Sequence, residues 1–147
     1  MPVLTPDALL CFNIYAASHA FTRFYKPLLD PLGLTYPQYL VMLCLHGQDG
    51  QGVGMISDQL HLDTNTLSPL LKRLEAAGLI LRVRQSSDER KVQINLTPSG
   101  RTVAAAAAAL PECIRGCIGL TADEITQASE TMRKLRVILG EGIQTDA

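Results

Sequence analysis

Between Leu67 and Leu96 the hydrophobic period changes from that of a helix to that of a strand, and this change restricts the fold more than any other feature of the chain. Leu67, Leu70, Leu71 and Leu74 recur at helical spacing within NTLSPLLKRLEAAG, and Gly78 closes that helix. Over residues 79–84, Leu79, Leu81 and Val83 alternate with Ile80, Arg82 and Arg84; over residues 91–96, Val92, Ile94 and Leu96 alternate with Lys91, Gln93 and Asn95. A period of two predicts strands. QSSDER between them reads as a polar hairpin tip. Upstream, a short helix through MISDQL meets the longer one across the tight turn HLD. Two helices joined by such a turn and followed by a basic β-hairpin predict a winged helix-turn-helix, approximately residues 36–97. The expected class is mainly α with a small β-hairpin wing.

Helices flank this unit. Thr5-Pro6-Asp7 supplies a cap, a proline suited to the first helical position and an early acid, so a helix is expected to begin there. Leu10, Ile14, Ala17, Phe21, Phe24 and Leu28 form a sustained apolar seam along it, ended by Pro31 and Gly33. Thr35-Tyr36-Pro37-Gln38 opens a second helix, apolar nearly all round and hence buried, with Cys44 in its core. Thr97-Pro98 opens a fifth helix through GRTVAAAAAALPECIRGCIGL, which Pro111 is expected to kink or interrupt, and Thr121-x-x-Glu124 is a capping box for the last. Residues 1–147 read as a single domain. The segments at about 5–30 and 98–143 read as dimerisation helices, the first expected to pack with the last two, and the seam and alanine run favour a homodimer.

The formal charge is −1, but it is unevenly distributed. Residues 72–101 hold seven basic groups against three acidic ones, leaving six against eleven elsewhere. An acidic body carrying one basic module is the outline of a protein that meets a polyanion with one face. Double-stranded DNA is the expected partner. Thr64, Asn65, Thr66 and Ser68 are candidates for base edges, and Pro69 shapes that end of the helix. Lys72, Arg73, Arg82, Arg84 and Lys91 are candidates for phosphates; Arg90 at the wing tip is expected in the minor groove, oriented by Asp88. A two-fold dimer would read a palindromic operator whose half-sites lie roughly 34 Å apart.

Cys11, Cys44, Cys113 and Cys117 form neither a CxxC pair nor a short-spaced disulfide framework, so reduced thiols are expected. His19, His46 and His61 stand alone, and no metal or other cofactor is expected. Without a long apolar run or a basic leader the chain is expected in the cytoplasm, away from membranes. Cys11 falls in the expected second turn of the first helix, where the helix dipole favours thiolate modestly. At 100° per residue Tyr15 lies about 40° round from Cys11 and Tyr25 about 40° the other way, so the three share a face. From spacing alone, an ordinary buried cysteine beside core tyrosines is the better explanation. Cys113 and Cys117 are expected one turn apart on one side of the fifth helix.

LCFNIYAAS, YKPLLDPLGLTYPQYLVML, LHLDTNTLSPLLKRLEAAGLI and SSDERKVQINLTPSG together resemble the MarR family of winged-helix regulators, nearest its organic-hydroperoxide-sensing, OhrR-like branch. The resemblance implies a dimeric repressor, not an enzyme, that releases DNA when Cys11 is oxidised by an organic hydroperoxide. It further implies that Tyr25 and Tyr36 hydroxyls reach the Cys11 sulfur, with Tyr15 nearby, and that a C-terminal cysteine closes an intersubunit disulfide. Cys117 is favoured for that, with Cys113 the alternative. Fourteen residues at about 1.5 Å each place Tyr25 roughly 21 Å along the helix from Cys11, so a Tyr25 donor must come from a second subunit. Two rival readings share parts of this pattern: a MarR-type repressor sensing a small aromatic ligand reversibly, and a thiol peroxidase, for which the basic hairpin has no use.

Overall fold

The computed structural model describes residues 3–85 and 88–141, with the side chains of residues 88–90 outside the description. The first helix starts in two steps. Pro6–Ala8 forms a 3-10 turn closed by the Leu9 N–H on the Pro6 carbonyl at 2.8 Å, and Leu9 is extended (φ −94°, ψ 124°) before helix α1, Leu10–Leu29, begins. The Asn13 side chain donates to the carbonyls of Asp7 and Leu9 at 2.9 and 3.0 Å, tying turn to helix. Cys11 is therefore the second residue of α1, in its first turn and not its second. The proline and cap seen in the sequence start the turn, and Leu9 delays the helix.

Helix α2, Tyr36–Gly47, opens on a reciprocal capping box: the Thr35 N–H donates to Gln38 Oε1 at 2.9 Å and the Gln38 N–H to Thr35 Oγ1 at 3.4 Å. Strand β1, Gln51–Gly52, lies in the glycine-rich loop that follows. The sequence reading missed it because two residues carry no period. Helices α3, Val53–Leu60, and α4, Thr64–Ala76, are joined through His61, which turns the chain in the left-handed region at φ 53°. Strands β2, Ile80–Gln85, and β3, Asp88–Leu96, complete an antiparallel sheet of order β1-β3-β2.

Register settles which face of the hairpin is buried. Ile80 pairs with Leu96, Arg82 with Ile94 and Arg84 with Val92, so these stand on one face. Ile80 and Ile94 are fully buried, whereas Leu81 and Val83 are 54% and 45% exposed. On β2 the alternating apolar set thus points outward, and the core side carries Ile80 and two arginines. The core of this unit joins Leu29, Tyr39, Met42 and Leu45 to Ile56, Leu67, Leu71 and Leu74 of the helix pair, and to Ala104 and Ala107 of the helix that follows the hairpin.

Helix α5, Pro98–Arg115, continues through Pro111, so the proline does not interrupt it. Proline removes one N–H bond, and the neighbouring bonds carry the helix on for another turn. It stops at Arg115, so Cys117 lies in the following turn, where its N–H donates to the Ile114 carbonyl at 2.8 Å. Gly119, at φ 76°, completes the reversal. Helix α6, Ala122–Gly140, begins at the expected capping box, with the Thr121 N–H on Glu124 Oε2 at 2.8 Å. Cα packing divides the chain into two compact units, Met1–Leu110 and Pro111–Ala147, so the boundary falls within α5. No described helix is long and apolar enough to cross a membrane.

Candidate functional site

The N-terminal turn of α4 is organised by Asp63. Its carboxylate accepts the Thr66 N–H at 2.7 Å, and that bond holds the acid below its usual range. Leu67, Leu70, Leu71 and Leu74 bury one side of α4, which leaves Thr64, Asn65, Thr66 and Pro69 exposed and Ser68 half-buried. Lys72 and Arg73 follow one turn on, also exposed. On the hairpin, Arg84 and Lys91 are exposed. The side chains of Asp88 and Arg90 lie outside the described residues.

An open groove of about 520 Å³ runs between α4 and the sheet, lined by Thr64, Ser68, Gln85, Lys91 and Gln93 and by the backbone of Gly50, Gly52 and Gly54. Gln85 and Gln93 were not among the residues expected to line this face. Their signal lay in the strand alternation, which puts Lys91 and Gln93 on one side of β3. Arg82 behaves differently from the other basic groups. Its guanidinium Nη2 donates to the Ser68 carbonyl at 3.4 Å, and its Nε stands 3.8 Å from the Glu75 carboxylate.

The expected sensor residues separate into two groups within one chain. Cys11 is exposed in the first turn of α1, with Tyr15 exposed one turn on and stacked edgewise on His19 at 4.4 Å between ring centroids. Tyr25 lies near the other end of α1, half-buried, with its ring centroid 5.0 Å from that of Tyr36. Tyr39, fully buried, completes the group at 5.4 Å from Tyr25 and 5.8 Å from Tyr36. Sequence reasoning missed Tyr39; its spacing of three from Tyr36 on a helix was the available signal. Burial, and then the Tyr25 phenol alongside, raise the Tyr36 and Tyr39 hydroxyls above their ordinary range, so both stay protonated and able to donate at neutral pH.

Cys113, near the end of α5, and Cys117, in the turn beyond it, are both exposed. Cys44 is half-buried, and burial pushes its thiol up. A free thiolate is disfavoured there.

The family model described as Transcriptional regulator SarA/Rot matches residues 23–106. The Organic hydroperoxide resistance transcriptional regulator of Bacillus subtilis is 42% identical over 126 residues, covering 86% of each chain. The chain belongs to the SarA/Rot/MarR-type winged-helix transcriptional regulators. This regulator is also 46% identical to the HTH-type transcriptional regulator TtmR of Methylorubrum extorquens over 88% of its own length and 67% of that relative's. Among solved structures it is similar to reduced AbfR bound to DNA, with a TM-score of 0.79 and 37% identity over 92% of each chain. AbfR of Staphylococcus epidermidis gives a TM-score of 0.73 at 38% identity, covering 90% of this chain and 91% of the other. The mainly helical fold with a three-stranded wing sheet is that of these regulators.

Proposed function

We propose that this regulator is a homodimeric repressor that holds a palindromic DNA operator and releases it when an organic hydroperoxide oxidises Cys11. The observation that carries the reading is the split sensor: an exposed thiol at one end of α1 and hydroxyl donors at the other, roughly 21 Å apart along one helix axis. A single chain cannot close that distance, but two antiparallel copies of α1 would set Cys11 of each beside Tyr25 and Tyr36 of the other. The exposed seam supports such a pairing, since Leu10 is 57% exposed, Phe21 45% and Phe24 39%. The likeness to the Bacillus subtilis regulator supports the oxidant class, and the likeness to AbfR in its reduced, overoxidised and disulfide forms supports thiol redox chemistry.

The thiolate of Cys11 attacks the terminal peroxide oxygen, breaking the O–O bond and yielding Cys11 sulfenic acid and an alkoxide, which takes a proton from water to leave as the alcohol. The phenols donate to the peroxide oxygens, and aromatic walls favour an apolar substituent. A second thiol then displaces the sulfenic hydroxyl as water and forms a disulfide. Cys117 of the other subunit is the proposed partner, with Cys113 the alternative, and both are exposed. Cross-linking α1 of one copy to the chain after α5 of the other would alter the spacing of the two α4 helices and so the fit to two half-sites. Thr64, Asn65, Thr66 and Ser68 read bases; Lys72, Arg73, Arg84 and Lys91 meet phosphates, and Arg90 with Asp88 serves the minor groove.

The test is DNA retention by purified protein before and after cumene hydroperoxide, then after added thiol. Loss and recovery are expected in the wild type, and retention throughout in Cys11→Ser. Release that persists in Cys11→Ser overturns the assignment and favours a reversibly bound ligand. Single replacement of Cys113 and Cys117 identifies the resolving thiol by which variant loses the cross-linked dimer on a non-reducing gel.

A further inference from the structure

Arg82 occupies a position whose neighbours are apolar. Its cross-strand partner is Ile94, fully buried, and Ile80 precedes it on the same face. Its side chain is 28% exposed, and Nε is buried without a hydrogen-bond partner among the described residues. What it touches is α4. Nη2 donates to the Ser68 carbonyl at 3.4 Å, Nε faces Glu75 Oε2 at 3.8 Å, and the backbone N–H of Arg82 donates to the same carboxylate oxygen at 3.3 Å. Ser68 and Glu75 are seven residues apart, two turns along one face of α4. One guanidinium therefore meets groups contributed by two successive turns' worth of the helix that carries the base-reading candidates, the Ser68 carbonyl and the Glu75 carboxylate.

We propose that Arg82 is a positioning residue that fixes the wing to α4 through Ser68 and Glu75, and that it makes no phosphate contact. Two attachments on one face of α4, separated along its axis, constrain both its distance from β2 and its rotation about its own axis. An apolar side chain would fill the same space without setting that rotation. The cost of holding a cation there is partly offset by the facing carboxylate of Glu75, which is itself 44% exposed, so the pair adds little stability and its effect is geometric. Thr64, Asn65 and Thr66 share α4 with the two anchors, so a slip of the helix would misplace every base contact together.

This inference rests on the DNA-binding reading, and salt dependence separates the two. A phosphate ligand contributes about 0.9 to the slope of log affinity against log salt, whereas a positioning residue contributes none. The probe is a short fluorescein-labelled duplex selected by the wild-type protein from a random pool and read by anisotropy across a salt series. Arg82→Lys, which keeps the charge but not the planar fork, and Glu75→Gln are each expected to bind on the order of tenfold more weakly, with the wild-type slope. Far-ultraviolet circular dichroism and melting of both variants check the fold; if Arg82→Lys does not fold, Glu75→Gln decides. Removing a negative charge near DNA would strengthen binding if Glu75 were a bystander, so the sign alone is informative. Tighter binding by Glu75→Gln, or a slope lowered by about 1 in Arg82→Gln with Arg82→Lys at wild-type affinity, overturns the proposal. A wild-type chain that selects no duplex overturns the DNA reading itself and this one with it.

Discussion

Replacing Gly100 by alanine reverses the usual sign of a glycine-to-alanine change in a helix. Gly100 is the third residue of α5 and lies against the backbone of Leu79, where the wing begins. A Cβ built there falls 1.9 Å from the Leu79 carbonyl oxygen and 2.9 Å from its carbon. An unstrained carbon–oxygen contact needs about 3.3 Å, so the two backbones must separate by roughly 1.4 Å. Both obstacles are main-chain atoms, and no rotamer change relieves them. The same Leu79 oxygen accepts the Thr97 N–H at 3.1 Å, and the Thr97 hydroxyl donates to the Gly78 carbonyl at 2.6 Å. Separation would loosen both bonds. Overpacking of about 1–3 kcal/mol and about 1 kcal/mol from the two loosened bonds together outweigh the roughly 1 kcal/mol that alanine gains in helix propensity. The expected net loss is about 2 kcal/mol, or about 6 °C in Tm for a chain of this size. Gly47, the last residue of α2, has nothing within 4 Å of its ideal Cβ and serves as the control. Gly47→Ala should melt at or slightly above the wild type. The assay is thermal melting by circular dichroism at one fixed protein concentration, because a dimer's Tm depends on it. A Gly100→Ala protein that melts at or above the wild type refutes the reasoning.

Three further outcomes are expected. Asp63 is held below its unfolded value by the Thr66 N–H, so its contribution is present above about pH 3.9 and disappears as pH falls through the folded value; Asp63→Asn, which still caps, should show a smaller stability difference between pH 7 and pH 3 in urea titrations than the wild type. His61→Gly relieves a left-handed residue at φ 53° and should raise the urea midpoint by the equivalent of about 0.5–1 kcal/mol with the slope unchanged. Gln51, 1% exposed, donates to the Cys44 and Gln48 carbonyls at 2.8 and 2.7 Å and accepts from Gln59 at 2.8 Å; Gln51→Met removes all three bonds, leaving the Cys44 carbonyl only the Gln48 N–H at 3.0 Å, and should lose about 2 kcal/mol by the same titration.

Where a local rule has no competitor, sequence and structure agree. The capping boxes at Thr35 and Thr121 form as read, the leucine face of α4 is the buried one, and the hairpin lies where the period changes to two. Where two local rules compete, the sequence reading erred. Proline at position 6 begins a 3-10 turn and not α1, Pro111 is absorbed within α5, and the helix stops before Cys117. The short β1 strand had no pattern to read, because pairing with β3 alone defines it.

The sequence by itself determined the kind and order of elements, because helix and strand periods, caps and turn residues act between neighbours a few positions apart. It also determined that Cys11 and Tyr25 of one chain stand far apart, since a continuous helix is a fixed ruler. Only the tertiary structure decided which face of β2 turns inward. Both faces carry apolar residues, and the choice belongs to the register with β3 and to the packing of Ile80 in the core. That one choice takes Arg82 out of the set of exposed cations and puts it against Ser68 and Glu75. The packing of α1 against α2 gathers Tyr25 to Tyr36 and Tyr39, a proximity that no spacing along the chain could specify.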